Sequence, residues 1–435
     1  MQPAPFHATA SLRHLALRHR LDWLHRQLPE PEQLPIARLR QLAAGRFAAT
    51  TGELGDGNID WLQSQELIAP GAPTTEARLP FAFVRAINLE LSYSCNLACS
   101  HCLQTPLRPQ GPASWLELEL VRQLLLQAQE LDLLRAGLNI TGGETFAAGS
   151  PLLAILALAS DMGIPTRANT NAWWGLQQDI CIGDGVFADD EAVVVHLQRL
   201  GLDRLALSLD DRYSQYPQLL ERVIRVASLC ERHELVYEFV ATDVDPELLS
   251  EVQDRIAADH GGLLLHVQLT RMDTVDIGAA APNQRRTLKS SSLADLARSS
   301  PCGTAGFYRP HFLHVSPDGC VRSCLYAPGG GWHGNLHDQS LRSILNSAAS
   351  NPVLQLFERG ELEAFVAQYL DPWRHLYRQV EHGCGAASLI ARLAERVTQL
   401  PVASGEDPDA EMMEALHRRL AAEMGLAAVA QPIAP

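Results

Sequence analysis

Residues 86–102 read AINLELSYSCNLACSHC. An apolar run leads into a loop that places Cys95, Cys99 and Cys102 within eight positions. The run predicts a strand over 86–92, AINLELS, so the thiols fall at that strand's carboxyl end. Downstream the alternation repeats. Strand candidates are AGLNIT (136–141), PTRANT (165–170), RLALSL (204–209), LVYEFVA (235–241) and LLLHVQL (263–269). Between them lie stretches with helical periodicity, WLELELVRQLLLQAQELDLL, SPLLAILALASDM, EAVVVHLQRL, QYPQLLERVIRVASLCERH and PELLSEVQDRIAADH. Six β-then-α units predict a parallel α/β sheet, because parallel neighbours need helical crossovers. The pattern fits a curled partial barrel and an open sheet alike, and in both ligands gather at the carboxyl ends of the strands.

Nine cysteines in 435 residues is an odd number, clustered rather than spread as in a secreted disulfide framework. The start, MQPAPFHATASLRH, lacks the charged-then-apolar order of an export signal, and no stretch has the roughly 20 apolar residues of a membrane span. The expected setting is cytoplasmic, with no membrane partner, and metal or redox chemistry is the expected use of the thiols. The formal charge of −15 would repel a polyanion, so nucleic acid is not an expected partner. Thiolates hold iron–sulfur clusters, and a four-iron cubane takes four ligands. Three protein cysteines leave one iron open. An open position means chemistry, by the logic that separates catalytic from structural zinc. The rival is a structural zinc loop, but zinc sites usually pair C-x2-C with a second such pair or with histidines.

C-x3-C-x2-C closing the first strand of a β/α block resembles the radical S-adenosylmethionine (SAM) superfamily; His101 stands where that family often has an aromatic residue. Thr141-Gly142-Gly143-Glu144, ending the second strand, resembles the family's GGE motif, whose backbone and carboxylate hold the SAM amino group. Ser208 and Asp210 end the fourth strand, where relatives contact the ribose or carboxylate of SAM. Asn169 and Asn171 end the third and are further candidates for polar contacts in the cleft. RMDTVDIGAA (271–280) resembles the loop that leaves the sixth strand in the peptide-modifying branch. The resemblance covers residues 86–280 and implies a partial (β/α)6 barrel holding a SAM-binding 4Fe-4S cluster. Without the family name, Gly142 and Gly143 would let the chain approach a ligand closely and Glu144 would offer a carboxylate to an ammonium. Taken singly, GGE also fits a plain turn, and Ser208 with Asp210 a helix cap.

Residues 301–324 carry Cys302, Cys320 and Cys324 around an apolar run and a PDG turn that predicts a β-hairpin, and Cys384 follows in EHGCGAAS. This resembles the auxiliary-cluster extensions called SPASM or twitch domains, and GNLHDQSLRSIL resembles the segment after their hairpin. Full SPASM domains have about seven cysteines for two clusters. The four here imply one auxiliary 4Fe-4S cluster with every iron ligated, or a tetrahedral zinc site. Of the two remaining thiols, Cys230 sits on the apolar face of a helix and is expected in the core. Cys181, in QQDICIGDG, is a candidate hydrogen donor to a substrate radical, with an idle loop thiol as the alternative.

The expected organisation is an N-terminal helical, winged-helix-like unit over 1–80, a radical SAM core over 84–285, a twitch-like domain over 300–400, and an acidic linker with a helix over 401–435. SLRHLALRHRLDWLHR (11–26) predicts one amphipathic helix with a solvated basic face. The resemblance implies reductive cleavage of SAM to a 5'-deoxyadenosyl radical that takes hydrogen from a substrate. A reductant such as flavodoxin or ferredoxin is an implied partner. The expected substrate is a ribosomally made peptide, its leader gripped by the front unit as an added strand. The outcome could be a crosslink, an epimer, an oxidised residue or a methylated one. A twitch-type dehydrogenase of an aminocyclitol or sugar, and a non-catalytic metal-binding regulator, are the alternatives.

Overall fold

A computed structural model describes residues 5–45, 49–71, 79, 81–108, 113–210, 217–272, 311–322, 333–351, 362–377, 383–401, 408–424 and 426–427. Six parallel strands form its centre: β3 (Ala86–Glu90), β4 (Leu138–Thr141), β5 (Thr166–Thr170), β8 (Arg204–Asp210), β9 (Tyr237–Thr242) and β10 (Val267–Met272). They neighbour one another in chain order, β3-β4-β5-β8-β9-β10, with no reversal. Crossovers between parallel strands are right-handed, so an unreversed order puts every helix on the same face. A doubly wound sheet needs a reversal, and this one has none. The result is a partial (β/α)6 barrel, open because β10 does not return to β3.

The sequence alternation makes the two faces chemically different. Ile87, Leu89, Leu138, Ile140, Ala168, Leu205, Leu207, Leu209 and Phe239 turn outward, each at most 2% exposed. Helices α6 (Leu118–Glu130), α7 (Leu152–Asp161), α8 (Asp190–Arg199), α9 (Pro217–Arg232) and α10 (Pro246–Asp259) follow the strands as crossovers and supply buried apolar side chains to the same core. Helix α9 presents Leu219, Val223, Val226, Ala227 and Cys230 at helical spacing. The leucine and valines among these each contribute about 1.5–3 kcal/mol on full burial. The strand register then places Asn88, Glu90, Asn139, Arg167, Asn169, Arg204, Ser208, Asp210 and Glu238 together on the opposite, concave face. That polar face is where the fold can hold a ligand.

Three features depart from the sequence reading. The sixth strand runs Val267–Met272, later than LLLHVQL, with Leu263 and Leu265 left exposed before it. A hairpin of β6 (Gln178–Ile182) and β7 (Gly185–Asp189) follows β5, where only a loop was expected. Beyond β3 the sheet continues through β11 (Phe312–Val315), parallel to β3, then antiparallel β12 (Cys320–Arg322) and β13 (Gly334–Asn335). The PDG hairpin is therefore present, and it extends the barrel wall.

The N-terminal unit comprises β1 (Phe6–Ala8), α1 (Ala10–Leu17), α2 (Leu21–His25), α3 (Ile36–Ala43), α4 (Thr51–Leu54), α5 (Asp56–Ser64) and β2 (Ile68–Pro70), with β1 and β2 antiparallel. The single helix expected over 11–26 is broken, because His19 adopts φ +57°. Its basic face is not all solvated either. His14 is fully buried with Nε2 2.9 Å from the Leu131 carbonyl, and burial pushes its pKa down to about 4. Helix α11 (Leu341–Ser350) clamps this unit to the barrel: Asn346 bonds Ser11 and the Glu66 carbonyl, and Arg342 bonds Gln65 and Glu130.

Candidate active site

The loop after β3 carries Cys95, Cys99 and Cys102 at the open carboxyl end of the barrel. A backbone bond from Cys102 N to Cys99 O at 3.2 Å folds it into a tight turn. The three side chains are partly exposed. Burial pushes the Cys99 thiol up to about 11, with Asp210, Cys102 and Cys95 adding to the shift. These neighbours act on one another, so the thiols share one locale. Among the described residues no three His, Cys, Asp or Glu side chains stand close enough to hold a single metal ion. Donors for thiolate charge are already in place. Leu97 N lies 3.5 Å from Cys95 Sγ, Asn171 Nδ2 lies 3.9 Å from the same sulfur, and Arg108 Nη2 lies 4.0 Å from Cys102 Sγ.

The β4 end closes against this loop. Gly143 N donates to Ser92 O at 2.6 Å and Glu144 N to Ser94 O at 2.9 Å. A Cβ on Gly143 would lie 1.8 Å from Ser94 O, and one on Gly142, whose φ is +131°, 2.6 Å from Ser92 O. Close approach is thus needed, and what these glycines approach here is the cysteine loop's own backbone. Glu144 also departs from expectation: it is 2% exposed, accepting from Phe146 N (3.0 Å), Thr170 Oγ1 (2.8 Å) and Asn171 N (2.9 Å). Its carboxylate pins the end of β4 to the end of β5 behind a Phe146–Trp174 stack. Burial raises its pKa to about 7.

Asn171 reaches the loop directly, with Nδ2 2.8 Å from Asn96 Oδ1. Asp210 is 5% exposed at the end of β8 and meets His101 Nε2 at 3.7 Å, so the fourth strand also touches the cysteine loop. Ser208 is half-buried one pleat below. Asn169 lies deeper, its Oδ1 accepting from Arg167 Nη1 at 2.5 Å. Cys181 faces solvent on β6, while its neighbours Ile180 and Ile182 turn into the core. Cys230 is fully buried, as expected.

Sequence reading missed Asn96, Arg108 and the polar floor. There Arg167 bonds Glu238 and Asn139, and Thr270 bonds Glu238. Period-2 alternation of polar residues in NLE, LNIT and TRANT was the available signal.

A curated protein, GTP 3',8-cyclase of Parasynechococcus marenigrum (strain WH8102), is 33% identical over 130 residues. This stretch of the chain is similar to that cyclase. The match covers 29% of this chain, and the chain spans 34% of that relative's length. No protein-family model matches. Among solved structures, BtrN in complex with AdoMet and 2-DOIA covers 64% of this chain and 89% of its own at 13% identity and TM-score 0.34, a likeness too loose to carry argument. No helix among the described residues is long and apolar enough to cross a membrane. Of the four later cysteines, Cys302 and Cys324 lie outside the described residues, as does most of the RMDTVDIGAA loop. Cys384 falls in the first turn of helix Gly383–Thr398, and Cys320 Sγ accepts from Asn335 Nδ2 at 3.4 Å.

Proposed function

We propose that this chain is an enzyme in which Cys95, Cys99 and Cys102 hold a 4Fe-4S cluster with one iron open to SAM. When bound, the cluster supplies the electron that splits SAM into methionine and a 5'-deoxyadenosyl radical. The observation that carries the reading is convergence: ends of β3, β4, β5 and β8 meet on one loop through Ser92, Ser94, Asn171 and Asp210. The chain's own part is to hold and screen. Leu97 N, Asn171 and Arg108 favour the thiolate forms, His101 with Asp210 fixes the loop against β8, and Glu144 locks β4 to β5. The concave floor of Arg167, Glu238, Asn139 and Asn169 offers a polar lining to a substrate.

The substrate we favour is a peptide. What supports it is β2, which has one partner strand among the described residues, so an extended segment could pair along its other edge. A small hydroxylated molecule is the second reading, favoured by the polar floor. Cys302, Cys320, Cys324 and Cys384 would hold one auxiliary 4Fe-4S cluster in a twitch-like domain, and a flavodoxin or ferredoxin would supply electrons. The test is anaerobic reconstitution, then incubation with dithionite and SAM. Appearance of 5'-deoxyadenosine, and its loss in Cys99→Ala, supports the reading; SAM left intact by iron-loaded wild-type protein sinks it. Substitutions along β2 that slow turnover of a peptide, but not of a small molecule, would separate the two substrates.

A further inference from the structure

The concave face buries one full ion pair that the site as described does not use. Arg322, two residues past Cys320 on β12, sends Nη2 to the Glu90 carboxylate, and both side chains are 1% exposed. The same nitrogen lies 3.4 Å from Tyr93 Oη. Tyr93 in turn donates to Glu90 Oε2 at 3.5 Å, and Gln104 Nε2 donates to Glu90 Oε1 at 2.9 Å. Tyr93 stands two residues before Cys95, and Gln104 two residues after Cys102. One carboxylate therefore grips both ends of the cysteine loop. One guanidinium, 232 positions away in sequence, grips the carboxylate.

Stability alone gives no reason for this arrangement. Desolvation offsets most of the attraction within a buried pair, and apolar side chains of similar volume are often as stable or more so. What a satisfied buried network supplies is one fixed geometry. A second contact joins the same parts: Asn88 Nδ2 lies 3.1 Å from His314 Nδ1, tying β3 to β11. The hairpin that carries Cys320 is thus keyed into the strand that feeds the cysteine loop.

We propose that Arg322 is a positioning residue for the cysteine loop: through Glu90 it sets how Cys95, Cys99 and Cys102 are presented, so that the seating of the C-terminal hairpin is felt at the active-site thiols. The proposal rests on the reading of that loop as the cofactor centre, but its test needs no cofactor. Apo-protein is labelled with N-ethylmaleimide and each cysteine is followed by mass spectrometry, with solvent-facing Cys181 as the internal reference. The double variant Arg322→Met, Glu90→Leu replaces the pair with apolar volume. Its melting temperature should stay within a few degrees of wild type or rise, while Cys95, Cys99 and Cys102 should label faster by about fivefold or more, as expected where local stability falls. Unchanged labelling of the three thiols in a stable double variant would reduce the network to core filling and overturn the proposal. Should that variant not fold, Arg322→Lys decides. It keeps the charge but replaces the planar guanidinium, whose Nη2 meets both Glu90 and Tyr93, with a flexible ammonium point charge, so faster labelling supports the proposal and wild-type labelling overturns it. Iron-free wild-type protein after reconstitution would sink the cofactor reading instead, leaving the labelling result standing.

Discussion

Gly143→Ala tests how tightly the β4 end is fitted to the cysteine loop. The added methyl would lie 1.8 Å from Ser94 O, 2.4 Å from Ser94 C and 3.0 Å from Tyr93 C, all backbone atoms with no rotamer to escape into. Real contacts of this kind stay beyond 3.0 Å, so Ser94 must retreat by at least 1.2 Å. Cys95 is the next residue and must follow, whereas metal–ligand distances hold to about 0.2 Å. If the loop resists, overpacking costs about 1–3 kcal/mol, and the bonds at Ser92 O and Ser94 O cost about 1 kcal/mol each. The melting temperature should then fall by about 3–5 °C. If the loop yields, the melt moves less and the thiols are misplaced. Either way, anaerobic reconstitution should return about four fewer irons per chain than wild type. Gly52→Ala, where a Cβ meets nothing within 4 Å, is the control and should load normally. Wild-type iron content with an unchanged melt in Gly143→Ala would refute the packing argument.

Glu144 carries a pH signature. Its folded-state pKa of about 7 lies above its usual 4.5, so the folded chain holds the proton longer than the unfolded one. Stability should therefore fall as pH rises from about 4.5 to 7, by about 3 kcal/mol at most, and urea melts of Glu144→Gln should lack that decline. Asn171→Ala removes a donor near Cys95 Sγ. Redox titration should place the cluster's midpoint potential more negative by tens of millivolts, with folding little changed, since hydrogen bonds to sulfur help set that potential. Replacing Cys320 and Cys384 by alanine should leave SAM-dependent 5'-deoxyadenosine formation detectable while lowering iron from about eight to about four per chain, if they serve a separate cluster.

The central strands were legible because each is a short apolar run before a helical period, and hydrophobic periodicity is local information. So was the trio of thiols, whose placement follows from the strand before it. LLLHVQL misled because its leucines read as a buried run, while the pairing with Tyr237–Thr242 selects Val267–Met272 and leaves Leu263 and Leu265 in solvent. The break at His19 was hidden because leucine spacing alone does not report a single residue at positive φ. The wet face was written in the sequence as alternating Asn88 and Glu90, Asn139 and Thr141, Arg167 and Asn169, yet each strand taken alone looked merely mixed. Only the register between strands assembles those residues. The Arg322–Glu90 pair and the inward turn of Glu144 depend on contacts between distant segments, which no window of sequence contains.

Electron paramagnetic resonance of the reconstituted, reduced protein titrated with SAM tests the central claim most directly. The account predicts a four-iron signal that changes shape as SAM binds and that disappears when Cys95, Cys99 and Cys102 are replaced together by alanine. A spectrum with no component that responds to SAM, or a silent zinc ion held by those three thiols, would contradict it.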